Sequence, residues 1–111
     1  MINWLRLCDS GIQKLDLGKN ALAVVTISNM FKLQTVDLSH NQIAEFPTMK
    51  NLPNLTTLNL SNNRICDLPN GYNFPKLVNL NLAHNGISKV PPQIFSETIL
   101  TNLLLTGNTV S

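Results

Sequence analysis

The side chains that could carry acid–base or metal chemistry in this chain are few: His40 and His84, Cys8 and Cys66, and six carboxylates. Two histidines on one zinc ion must each bring a nitrogen to about 2.0–2.1 Å from the metal. His40 and His84 occupy the same place of a recurring frame but stand two repeats apart, roughly 10 Å if each repeat supplies one strand of a sheet. They cannot readily share an ion. No histidine is fixed beside Cys8, no serine has the turn context of a nucleophile elbow, and Lys, Gly and Ser are too scattered for a phosphate-cradling loop. Neither enzymatic activity nor a metal or cofactor is therefore expected.

What recurs instead is an amide. Asn20, Asn41, Asn63, Asn85 and Asn108 follow one another at intervals of 21, 22, 22 and 23 residues. Each is the ninth place of a frame, LxxLxLxxNxI, read as LQTVDLSHNQI from Leu33, LTTLNLSNNRI from Leu55, LVNLNLAHNGI from Leu77 and LTNLLLTGNTV from Leu100. A fifth copy, IQKLDLGKNAL from Ile12, has isoleucine at its first place. Apolar fourth and sixth places alternating with polar neighbours are the signature of a strand with one buried face. The pairs Leu15 and Leu17, Val36 and Leu38, Leu58 and Leu60, Leu80 and Leu82, and Leu103 and Leu105 therefore point inward. An asparagine side chain donates and accepts at once, so a column of them can satisfy the backbone groups freed where each strand turns.

Self-similarity at roughly 20–29 residues with this frame marks a leucine-rich repeat, one solenoid coil per copy. On these residues the chain resembles the leucine-rich repeat family, in its form with short repeats of 21 to 23 residues and proline-containing return segments, over about residues 12–111. The resemblance implies an α/β fold: a right-handed leucine-rich repeat solenoid with a concave parallel sheet of about five strands and mostly 3₁₀ or irregular convex segments. It also implies a protein-binding surface, although a fold does not name its ligand.

One domain, residues 1–111, is expected, with repeats starting near residues 12, 33, 55, 77 and 100. In the return segments, Ile43, Phe46, Met49, Leu52 and Leu55 recur every three residues, and Ile65, Leu68, Phe74 and Leu77, then Ile87, Val90, Ile94 and Leu100, continue the pattern. Pro47, Pro69, Pro91 and Pro92 disfavour a long helix there, so short 3₁₀ or polyproline turns and a shallow arc are expected. The first return segment, ALAVVTISNMFK, lacks proline and is compatible with a short helix or an irregular turn.

The two ends differ. Residues 1–11 are read as a capping strand and turn: the strand is joined by Asp9-Ser10-Gly11 to the strand around Leu15, with Trp4 lying over the end of the core; an irregular first coil is the alternative. At the other end, Leu100, Leu103 and Leu105 leave an apolar layer open, and Leu104 stands where earlier copies have Asp16, Asp37, Asn59 and Asn81. Such an edge invites self-association into a homo-oligomer or docking onto further repeats.

A net charge of +2, with 13% charged residues and no Lys/Arg cluster, argues against a nucleic-acid partner. No apolar run is long enough for a membrane span, and no signal peptide is evident. Extracellular members of the family usually carry cysteine-rich caps, whereas this chain has only Cys8 and Cys66, so the resemblance implies a cytoplasmic, intracellular site, or delivery into a host cell as a secreted effector. A protein or peptide partner would meet the concave face, and the residues that would carry binding are Lys14, Asp16, Thr35, Asp37, His40, Asn59, Asn79, Asn81 and His84.

Overall fold

The computed structural model describes residues 3–8, 11–69, 74–91 and 100–109. Eight strands cover these residues: β1 Trp4–Cys8, β2 Lys14–Asp16, β3 Val24–Ser28, β4 Thr35–Asp37, β5 Thr48–Lys50, β6 Thr57–Asn59, β7 Asn79–Asn81 and β8 Asn102–Leu104. No helix occurs among the described residues. The helical part of the α/β expectation therefore has no counterpart there.

The expected concave wall is present. β2, β4, β6, β7 and β8 form a five-stranded sheet in that order, every neighbour parallel. Equivalent frame places pair across it, so Leu15, Val36, Leu58, Leu80 and Leu103 stand in one row. A slip of one residue would turn each of these apolar side chains into solvent, which is why the repeat also sets the register. The row backs onto a core in which Leu33, Val36, Leu38, Ile43, Leu55, Leu58, Leu60, Ile65 and Leu77 are wholly buried. Each such side chain contributes about 1.5–3 kcal/mol on leaving water.

The return wall differs from the expectation. β1, β3 and β5 form a second parallel sheet of three strands, with Val25 and Ile27 facing the core and Met49, Leu5 and Leu7 packed against it. The first return segment thus holds a strand and neither a helix nor an irregular turn. The cause is local: Val24, Val25, Thr26 and Ile27 are all β-branched and stiff about χ1, and they alternate outward and inward. After the second and third returns the chain reverses in i to i+3 turns, with Leu55 N donating to Leu52 O and Leu77 N to Phe74 O. Pro53 and Pro75 occupy the second turn position, where their fixed φ is already correct. Met30 to Leu33 makes the same turn with Phe31 in the proline place, leaving that ring 57% exposed.

At the amino end, β1 pairs in parallel with β3, Trp4 opposite Val24 and Cys8 opposite Ser28, and not with β2. It extends the return wall and forms no hairpin with β2. Trp4 is 60% exposed on the outer face, while Leu5 and Leu7 cover the core in its place. Asp9 and Ser10 of the proposed turn, and Ile94 and Pro92 of the last return, lie outside the described residues.

Candidate functional site

The polar face of the five-stranded sheet is built from the third and fifth places of the frame. The third-place column reads Lys14, Thr35, Thr57, Asn79 and Asn102, and the fifth-place column Asp16, Asp37, Asn59, Asn81 and Leu104, each residue paired with the next across the register. Within the third column, Asn102 Nδ2 donates to Asn79 Oδ1 at 2.5 Å and Asn79 Nδ2 to Thr57 Oγ1 at 3.5 Å. Thr35 and Thr57 are half-buried, and Lys14 and Asn102 are exposed.

The fifth-place side chains have a role that the repeat pattern alone does not reveal. Oδ1 of Asp16, Asp37, Asn59 and Asn81 accepts the backbone amide two residues on, from Gly18, Ser39, Ser61 and Ala83, at 2.9–3.1 Å. Ser39 Oγ and Ser61 Oγ add bonds of 2.7 and 2.8 Å to the same oxygens of Asp37 and Asn59. These are turns closed by an Asx side chain, and carboxylate and carboxamide perform them equally because only one oxygen is needed. The second carboxylate oxygen or the amide NH₂ of each has no bond of this kind among the described residues. At Leu104 the column loses its polar atom, and that side chain, grouped with the open edge on sequence grounds, is 50% exposed on the polar face itself.

Beneath this face runs the asparagine ladder. Asn63 Nδ2 lies 3.0–3.2 Å from the carbonyls of Leu38, Leu60 and Ser61, and its Oδ1 accepts from Ile43 N at 3.1 Å. Asn41 repeats the pattern with Leu17, Leu38, Ser39 and Leu22, and Asn85 with Leu60, Leu82, Ala83 and Ile65. Asn108 reaches Leu82 O and accepts from Ile87 N. Among the described residues Asn20, in the first full coil, bonds to Leu17 and Gly18 of its own turn. Asn41, Asn63, Asn85 and Asn108 are therefore each a tie between one coil and the coil before it.

The residue before each ladder asparagine has positive φ: Lys19 at 59°, His40 at 55°, Asn62 at 57°, His84 at 57° and Gly107 at 79°. Asparagine and histidine tolerate this conformation better than most residues, and glycine tolerates it best. His40 and His84 are thus turn residues at the margin of the face. A β-carbon at Gly107 would collide with the His84 ring, so the glycine gives that ring its place. Among the described residues, no group of three or more His, Cys, Asp or Glu is placed to hold a metal. Cys8 and Cys66 are free and exposed.

Two features of the face stand out. Asp16 and Asp37 are direct neighbours, and a β-carbon at Gly18 would lie 3.5 Å from Oδ1 of both and 3.3 Å from Ser39 Oγ, so the missing side chain leaves space between two carboxylates. Toward β8, Thr57, Asn59, Asn79, Asn81, Asn102 and Leu104 line a shallow hollow of about 320 Å³. Of these, Thr57 and Asn102 were absent from the binding residues read from the sequence; their place in the frame was the available signal. Lys14, Asp16, Thr35 and Asp37 lie outside the hollow, toward β2.

Two family models match the chain. One, described as leucine rich repeats in 2 copies, covers residues 31–72. The other, described as leucine rich repeat, covers residues 53–110. No curated protein and no solved structure matches it.

Proposed function

Because the chain belongs to the leucine-rich repeat family, whose coils in general serve protein–protein interaction, we propose that it binds a protein or peptide partner on the polar face of its five-stranded sheet. The observation that carries this reading is the hollow on β6, β7 and β8, where rigid strands hold Asn59, Asn79, Asn81 and Asn102 around an exposed Leu104. Strand-borne side chains have little freedom left to lose on binding. Lys14, Asp16, Thr35 and Asp37 extend the surface toward the amino end, with His40 and His84 at its margin. The partner is met inside a cell, a reading supported by two exposed thiols that are not joined to each other.

Affinity purification with wild type and with Asp37→Lys or Asn81→Arg tests the proposal. Both variants are expected to lose the partner while still melting cooperatively, with a fall of about 1 kcal/mol in stability because each also removes the oxygen that closes the turn onto Ser39 N or Ala83 N. Partners retained by both variants would show that the face is idle.

A second reading, self-association, is favoured by one observation: β8 pairs with β7 and with no other described strand, and Leu100, Leu103 and Leu105 beside it are only half-buried. Unpaired strand edges flanked by apolar side chains accept further strands. Sedimentation that stays monomeric at high concentration removes this reading. Leu103→Lys is the matching variant, expected to abolish any association seen.

A further inference from the structure

We infer that the ligand of the polar face is an extended peptide segment lying across the strands, with a basic side chain at one end and an apolar side chain about four to six residues away. The inference rests on the strand-face reading above and names the chemistry of its partner.

The fifth-place column changes character along its length: two carboxylates, Asp16 and Asp37, then two amides, Asn59 and Asn81, then Leu104. Successive strands are about 4.8 Å apart, so Leu104 lies roughly 14 Å from Asp37 and roughly 19 Å from Asp16. An extended chain advances about 3.3 Å per residue, which sets the spacing of about four to six residues.

Each section of the column selects a different chemical group. At the amino end the two carboxylates face like charge across adjacent strands, an arrangement that a cation relieves. The space beside Gly18 borders Oδ1 of both, which accept the turn bonds, and the second oxygen of each carboxylate, without a bond among the described residues, is available to an ammonium or guanidinium group. In the middle, Oδ1 of Asn59 and Asn81 is likewise committed, which leaves their NH₂ groups as donors to main-chain carbonyls. At the far end Leu104, half exposed, lines the hollow and offers apolar contact. A sugar would satisfy the amides but leave both the carboxylates and Leu104 unmatched. A peptide satisfies all three.

The column also supplies its own control. Asn59 and Asn81 close the same turn as Asp16 and Asp37, so Asp16→Asn with Asp37→Asn removes both charges and keeps the turn bonds. The experiment is fluorescence anisotropy of the 111-residue chain with labelled decapeptides that carry one Arg and one Leu in a Gly/Ser/Thr background, the spacing between them varied in both directions. Affinity is expected to peak near a spacing of five and to fall about ten-fold when the spacing is changed by about four residues. The double Asn variant should weaken the best peptide about ten-fold and abolish its salt dependence at an unchanged melting temperature. Leu104→Asn should weaken peptides bearing Leu and leave those with Ala in its place unaffected.

A flat spacing series, undiminished binding by the double variant, or no binding by any member at millimolar peptide overturns the inference. If the spacing series is flat while Asn81→Arg still loses the cellular partner, the strand-face reading survives this failure. Peptide binding that persists in Asn81→Arg places the peptide elsewhere and overturns the inference, and partner capture that also persists overturns the strand-face reading with it.

Discussion

Asn63 does the work of several residues: its amide reaches three carbonyls from two coils, and its oxygen takes the Ile43 amide. All of these bonds are buried, so removing the side chain leaves the Ile43 N–H without its acceptor and takes one of two donors from each carbonyl, Leu38 O keeping Asn41 Nδ2, Leu60 O keeping Asn85 Nδ2 and Ser61 O keeping His40 N. Asn63→Ala is expected to cost about 1–3 kcal/mol in a urea or thermal melt. Asn20→Ala should cost less than about 1 kcal/mol, because Asn20 is exposed and its bonds to described residues lie within its own turn. Equal losses at the two positions would contradict the ladder as the source of the effect. His40 presents a different problem, a side chain in the left-handed region. His40→Val is expected to destabilise by about 1–2 kcal/mol through steric strain at the β-carbon, whereas His40→Gly should change stability by no more than about 0.5 kcal/mol.

Among the elements, β3 shows how local propensity and long-range pairing agree. Its β-branched run favours an extended backbone, its alternation buries Val25 and Ile27, and its two edges are taken by β1 and β5. Ile27 is wholly buried between the two walls, so Ile27→Ala should lower stability by about 2–4 kcal/mol, the range for a large aliphatic side chain whose space cannot fully collapse. Thr26→Ala, on the outer side of the same strand, serves as the control and should cost less than about 1 kcal/mol. Comparable melting temperatures for these two variants would mean that the return wall is not packed against the core. The outer side of this wall carries Trp4 opposite Val24, both about three-fifths exposed at 60% and 62%.

As a whole the molecule is a slab, 39 × 35 × 18 Å, in which each coil touches chiefly the coils on either side. Stability in such a stack is close to a sum of coil and neighbour terms. Opening should therefore begin at β2 and β8, which have one sheet neighbour each, and reach β6 last. Native-state hydrogen exchange is expected to show the slowest amides around Leu58 and Leu60, with protection decreasing toward both ends; uniform protection would reveal a single cooperative unit instead. The paired returns also influence shape. Curvature requires the convex wall to be spaced more widely than the concave one, and where β1, β3 and β5 pair, both walls share a strand spacing of about 4.8 Å. The coils joined by these strands are accordingly held flat.

Much of this architecture was legible before any coordinates. The period, the inward rows from Leu15 to Leu103 and their parallel register follow from the frame, because a coil meets only its neighbours and the same offset recurs at every step. The return wall was less legible: proline and a spacing of three mark the later coils, whereas in the first coil the branching of Val24 to Ile27 marks a strand. Leu5 and Leu7 precede Val25 and Ile27 by 20 residues, close to the repeat distance.

Other features required the tertiary structure. Alternation along Trp4–Cys8 is the same whether that strand joins either sheet, and only the open edge of β3 decides between them. The carboxylates and amides of the fifth place read as free polar groups until the backbone amides two residues on are seen to occupy one oxygen of each. The frame puts Leu104 in the same outward column, and the structure adds that it is half exposed and lines a hollow with Asn59, Asn79, Asn81 and Asn102. The division has one cause: a repeat specifies which residues recur together, whereas the partner that each polar atom or strand edge finally takes depends on groups brought near from elsewhere in the chain.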